Sequence, residues 1–169
     1  MARAAPWGFR LLFLVLVAAI LFLRLLPLYN EPGSMPGPDL LQCLILAWMM
    51  RRPDILPIWL ILPVILVEDL LLLRPPGLWA GLMVMATEFL RSRTALTRDL
   101  HFLVEWALAA GIMVAMMLLY RFAFILVLLP QPPIGFAAIQ VIWSILAYPL
   151  VVGLSRLILG MQRAANGGM

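Results

Sequence analysis

Apolar positions follow one another for lengths close to a bilayer crossing, and the breaks between these runs carry Pro, Gly or clustered charge. The runs are roughly Phe9 to Leu28, Leu40 to Met50, Ile55 to Leu73, Gly77 to Leu90, Leu100 to Leu129 and Ile134 to Leu159. Between them stand "YNEPGSMPGP" from Tyr29, "RRPD" from Arg51, "RPP" from Arg74, "RSRTALTRD" from Arg91 and "PQPP" from Pro130. Runs that are apolar on every face, rather than along one stripe, are embedded in lipid or in other helices. The pattern therefore predicts an all-α integral membrane protein of about six transmembrane helices. The second run is the exception in length: it rises only about 17 Å, against a hydrocarbon core of about 30 Å. Full crossing and re-entry are both open for it. "GPDLLQ" and "RPDILP" both read as helix starts, with Pro in the first turn and the acid at the positive end of the helix dipole.

Composition agrees with the pattern. Sixty-five per cent of the 169 residues are hydrophobic, the mean hydropathy is +1.07, and charged residues are about half as frequent as in an ordinary soluble domain. The chain reads as a single transmembrane helical domain over residues 1–169, with a disordered tail at about 164–169. The first run is read as an uncleaved helix rather than a signal peptide, because Arg24 interrupts it and no Ala-x-Ala-like site follows. All twelve basic residues are Arg, against eight acids. In a membrane protein such a surplus marks cytoplasmic loops and anionic lipid rather than nucleic acid. The lone Cys43 excludes an intramolecular disulfide and reads as a packing residue.

The arginines also orient the chain. With six crossings and both termini cytoplasmic, Arg3, Arg10, Arg51, Arg52, Arg91, Arg93, Arg98, Arg156 and Arg163 fall inside, and only Arg24, Arg74 and Arg121 fall outside. Nine against three is the bias expected of cytoplasmic loops. Trp7, Trp48, Trp59 and Trp106 fall near inner ends and Trp79 near an outer one, as an interfacial belt requires, with Trp143 the exception.

Charge inside the apolar runs costs roughly 2.5 to 3.5 kcal/mol per central residue, so each instance needs a reason. Glu68 and Asp69 are adjacent in the third run, and about 100° separates neighbouring side chains on a helix, so they cannot share one partner. The expectation is that one faces the bundle while the other meets water or a neighbouring helix. Arg74 and Arg121 are the nearest partners in depth, and Asp39 and Asp69 both fall in the outer half. Glu88 and Arg91 are spaced for an in-helix pair. His101 and Glu105 share a face, but two such residues without a third make no metal site. Catalytic signatures such as Gly-x-Ser-x-Gly, His-Glu-x-x-His and a glycine-rich phosphate loop are missing. An aspartic dyad of Asp39 and Asp69 lacks the Asn- and Gly-rich flanks of a lipoprotein signal peptidase. Neither a cofactor nor a catalytic residue is expected. Small residues are more informative. Gly77 and Gly81 in "GLWAG", and the stripe Ala107, Gly111 and Ala115, permit close helix approach, either within the bundle or against a partner.

"PDLLQCLILAWMMRRPDILP" followed by "LPVILVEDLLLLRPPGLWAGLMVMATEFLRSR" resembles the rod shape-determining protein MreD family of bacteria. The resemblance rests on a short second helix between Pro38 and Pro53, on Asp69 followed eight residues later by Gly77, and on length. Leu73 stands where the family pattern has a small residue, and Glu68 is an acid that the pattern does not require. The resemblance implies a non-catalytic subunit of the bacterial inner membrane. It would bind the MreC scaffold, and through it engage MreB filaments and the enzymes of lateral wall synthesis. Asp39, Asp69, Arg74, Gly77, Gly81, Gly111 and Arg121 are then the partner-binding or structural positions. The alternative is a substrate-binding subunit resembling that of energy-coupling-factor vitamin transporters, which share size and helix count.

Overall fold

The computed structural model describes residues 6–26, 36–93, 101–128, 130 and 133–159, and is all-helical across them. Six helices occupy these residues: α1 (Pro6–Leu25), α2 (Leu40–Arg51), α3 (Ile58–Leu71), α4 (Leu78–Ser92), α5 (Phe102–Leu126) and α6 (Ile134–Leu159). The tail predicted to be disordered at about 164–169 lies outside the described residues. Three helices, α1, α5 and α6, are long and apolar enough to cross a membrane. The expectation of one short helix is too small by two: α3 has 14 residues and α4 has 15, or about 21 and 22 Å.

The shortening has local causes. Pro57 is the extended N-cap of α3, so the predicted helix start at "RPDILP" is instead a turn, with residues 53–55 in turn conformation. At the other end Leu73 adopts φ 52°. The Leu73 N–H donates to the Leu70 carbonyl and the Arg74 N–H to the Asp69 carbonyl. This is the pair of bonds that closes a helix on a left-handed residue, a position normally held by glycine. Leu73 is the residue that the sequence singles out as too large for its place.

The 12-residue α2 is the centre of the bundle. Every residue from Leu41 to Met50 is buried, which explains why this helix is apolar on all sides and need not match the bilayer thickness. It packs chiefly against α6 and α4 and also touches α1 and α5. Asp39 caps it, accepting from the Gln42 N–H at 3.1 Å. Trp48 is fully buried, its indole N–H donating to Ser155 at 3.3 Å. Trp48 is therefore a core residue and not part of an interfacial belt. Trp7 and Trp59 are more than half exposed and flank the Arg10 guanidinium at 5.1 and 5.3 Å. Cys43 is buried and directs its thiol to the Ser144 carbonyl.

Successive helices alternate in direction. Arg10 donates to the Ile55 carbonyl, Arg91 to the Leu56 carbonyl, Arg51 to Glu105, and Arg156 stacks on Phe102. These contacts place the start of α1, α3 and α5 and the end of α2, α4 and α6 together. Arg10, Arg51, Arg52, Arg91, Arg93 and Arg156 thus gather at one end of the bundle, and Arg24, Arg74 and Arg121 at the other.

Candidate functional site

The end with fewer arginines holds three buried acids, Asp39, Glu68 and Asp69. Arg24, in the last turn of α1, forms ion pairs with Asp39 at 2.9 Å and with Glu68 of α3. The Glu68 and Asp39 side chains are 1% and 4% exposed, against 19% for Arg24. The Asp39 backbone N–H donates to the Ser144 hydroxyl at 2.8 Å, which ties the start of α2 to α6. One guanidinium therefore joins three helix ends. This corrects the sequence expectation for Glu68, whose partner is Arg24 and neither Arg74 nor Arg121. The sequence signal was present, since Arg24 interrupts an apolar run and needs an acid at its own depth.

Asp69 serves a different purpose. It is fully buried, and its Oδ2 accepts from the backbone N–H groups of Gly77 at 3.2 Å and Ala80 at 3.3 Å. Gly77 is the N-cap of α4, with φ 94°, and has no side chain with which to cap. The carboxylate of the preceding helix supplies the missing acceptors at the positive end of the α4 dipole. The eight-residue spacing of Asp69 and Gly77 is thus the reach of a tight joint between two helices. Both acids are buried, and of the two outcomes expected for the second acid it is the neighbouring helix that holds: Glu68 meets Arg24 of α1 while Asp69 faces the start of α4. The Asp69 Oδ1 is buried without a hydrogen-bond partner among the described residues. Arg74 stacks its guanidinium on Trp79 at 5.3 Å rather than pairing with Asp69.

Beside this joint lies a cavity of about 340 Å³, whose wall includes Asp39, Arg74 and Arg121 together with Trp79, Tyr120 and Gln140. Three predicted positions from three parts of the chain thus converge. Trp79 and Tyr120 meet edge to face at 5.6 Å, and Tyr120 stacks on Phe124 at 4.7 Å, which gives the wall a fixed aromatic side. The buried Nη1 of Arg74 and Nε1 of Trp79 have no hydrogen-bond partner among the described residues.

Gly81 and Gly111 do not join this site. Both are exposed, and a methyl group at either would meet nothing within 4 Å. The predicted small-residue stripe faces away from the bundle. Ala107, Gly111 and Ala115 line an open groove of about 360 Å³ between α5 and the Leu82, Ala86 and Phe89 face of α4.

At the opposite end Arg51 grips Glu105 through Nε and Nη2 at 3.0 to 3.2 Å, and the Tyr148 hydroxyl donates to the same carboxylate at 3.2 Å. The sequence reading placed Arg51 on the cytoplasmic side and set His101 and Glu105 on one face of the fifth run. Instead, His101 is the exposed N-cap of α5, and Glu105 turns inward. The expected pair of Glu88 and Arg91 forms at 3.3 Å.

Comparison with protein-family models, with curated proteins and with solved structures finds no match to this chain.

Proposed function

We propose that the chain is a non-catalytic subunit of the bacterial cell-elongation machinery in the inner membrane, with six crossings and cytoplasmic termini, and that it binds an MreC scaffold. The observation that carries this reading is the outward face of Ala107, Gly111 and Ala115. A glycine and two alanines on a lipid-facing helix let another helix backbone approach closely, and packing of this kind drives association where water contributes nothing. The bundle does not use that face itself. The charged residues, in contrast, are largely consumed by the fold: Arg24, Asp39, Glu68, Asp69, Arg51 and Glu105 all bind one another or a helix end. Such an arrangement supports a scaffold component better than an enzyme. Alternating helix direction and the gathering of six described arginines at one end support the orientation.

Purification from mild detergent at native expression should recover MreC, and depletion should round a rod-shaped cell. Recovery of the chain alone, or unchanged cell shape, would sink the reading. Gly111→Leu fills the groove without touching the core, and should lower recovery of the partner while leaving thermal unfolding of the isolated chain unchanged. Full recovery with Gly111→Leu would place the contact elsewhere.

A further inference from the structure

We infer that the flank formed by α3 and α4 binds a thinned patch of bilayer, covered by lipids with shorter chains than those beside α5 and α6, and that the thinning falls at the end with fewer arginines. The inference rests on the membrane-spanning reading above and not on the identity of the protein partner. Helices α3 and α4 pack on each other, as do α5 and α6, so length is distributed unevenly around α2. The short pair has 14 and 15 residues and rises about 21 and 22 Å, whereas the long pair has 25 and 26 residues and rises about 37 and 39 Å. The hydrocarbon core of an ordinary bilayer is about 30 Å. A helix that is too long tilts to fit, but one that is too short leaves the bilayer to adjust.

Groups that belong in water mark both ends of the short flank. At the arginine-rich end Arg91 donates to the Leu56 carbonyl at 2.7 Å and Arg10 to the Ile55 carbonyl at 3.4 Å, which sets α1, α3 and α4 at one level. At the opposite end the chain from Leu72 to Gly77 is non-helical and carries Arg74. Open backbone and a guanidinium enter hydrocarbon only where protein or water surrounds them. Leu73, Pro76 and Gly77 are exposed, so the bundle does not roof this joint. Trp79, in the first turn of α4, meets Tyr120 edge to face at 5.6 Å, and α5 continues from there to Leu126, a further rise of about 9 Å. Phe122, Ile125 and Leu126 on that extension are apolar and exposed. The apolar surface therefore steps down from α5 to the joint. On α3 itself the exposed side chains Trp59, Leu62, Val67 and Leu70 are apolar, and lipid chains that reach only as far as the joint cover them.

The full chain would be reconstituted in phosphatidylcholines that differ only in chain length, from myristoleoyl through palmitoleoyl and oleoyl to erucoyl. Relative binding is read from tryptophan fluorescence as each lipid competes with a brominated, quenching one. Binding should be strongest at a chain shorter than oleoyl, with palmitoleoyl lipid favoured about fivefold over erucoyl lipid. Leu70→Gln shortens the apolar surface of α3 by about one turn and should move the optimum to still shorter chains. Leu126→Gln makes the same change on the tall flank and should leave the optimum in place. Both leucines are exposed, at 63% and 68%, so neither substitution opens the core. An optimum at oleoyl or longer chains, or one that Leu70→Gln leaves in place, would overturn the inference. An equal shift with Leu126→Gln would overturn it too, because the preference would then belong to the whole bundle. Absence of quenching by any brominated lipid would instead sink the membrane-spanning reading on which it rests.

Discussion

Two ion clusters tie the helices at opposite ends of the bundle, and they are built in different proportions. At the end rich in arginine, Arg51 grips Glu105 in a fork, and the Tyr148 hydroxyl donates to the same carboxylate. At the other end Arg24 alone serves two carboxylates, Asp39 and Glu68. The Arg51–Glu105 pair is nearly dry, with side chains 6% and 2% exposed. The second carries one acid more than it needs for neutrality, and its end of the bundle has further support from backbone capping by Asp39 and Asp69. Buried charge thus carries more of the connection at one end, and helix capping more at the other.

Removing the cation from the Arg51–Glu105 fork should have the largest effect. Arg51→Met takes the fork away from the buried Glu105 carboxylate and should cost about 3 to 5 kcal/mol. Denaturant unfolding in detergent measures it, and the double variant with Glu105→Gln should recover more than half of the loss because no charge is then left alone. The next contrast tests the stoichiometry directly. Glu105→Gln removes half of the fork and leaves Arg51 unpaired, at a cost of about 2 to 3 kcal/mol, whereas Glu68→Gln leaves Arg24 still paired with Asp39 and should cost less than about 1 kcal/mol. Equal losses would show that the two clusters are alike after all.

The capping side of the comparison predicts smaller changes. Asp69→Ala removes the acceptor for two backbone donors at the start of α4 and should cost about 1 to 2 kcal/mol. Exchanging Asp69 with Arg121, as Asp69→Arg with Arg121→Asp, should recover none of it, since the partners of Asp69 are backbone groups. Recovery in that double variant would make Asp69 an ion-pair residue and remove the distinction between the two ends. The smallest expected change is a gain. Leu73 holds φ 52° and is 93% exposed as a residue, so Leu73→Gly should relieve the left-handed strain and stabilise the joint by about 0.5 kcal/mol, net of the entropy that glycine loses on folding. A loss on unfolding measurements would mean that the leucine is held by contacts with lipid or a partner.

Several features needed only neighbouring residues and so were legible in the chain itself. Six apolar runs became six helices because backbone hydrogen bonds inside a helix are the local answer to an apolar surrounding, and Pro, Gly and charge end them wherever they stand. The gathering of arginines at alternate breaks followed from the same count. Even the joint at Asp69 and Gly77 had a local signature, eight residues in length. Helix ends were less legible, since Pro57 and the left-handed Leu73 shortened α3 from within an apolar run.

Partner choice was a different matter. Arg24 and Glu68 are 44 residues apart and Arg51 and Glu105 are 54 apart. Periodicity fixes which face of a helix a residue occupies but not which helix lies opposite. For the same reason Gly111 could have packed inward or outward, and Trp48 could have been a belt residue or a core one. Sequence alone determined a helical chain with runs apolar enough to cross a membrane and with one basic end, because hydrophobicity and charge act position by position. Only the tertiary structure decided that a 12-residue helix sits at the centre, that one arginine serves two acids, and that the small-residue face is left open, because those outcomes depend on how six helices share one interior.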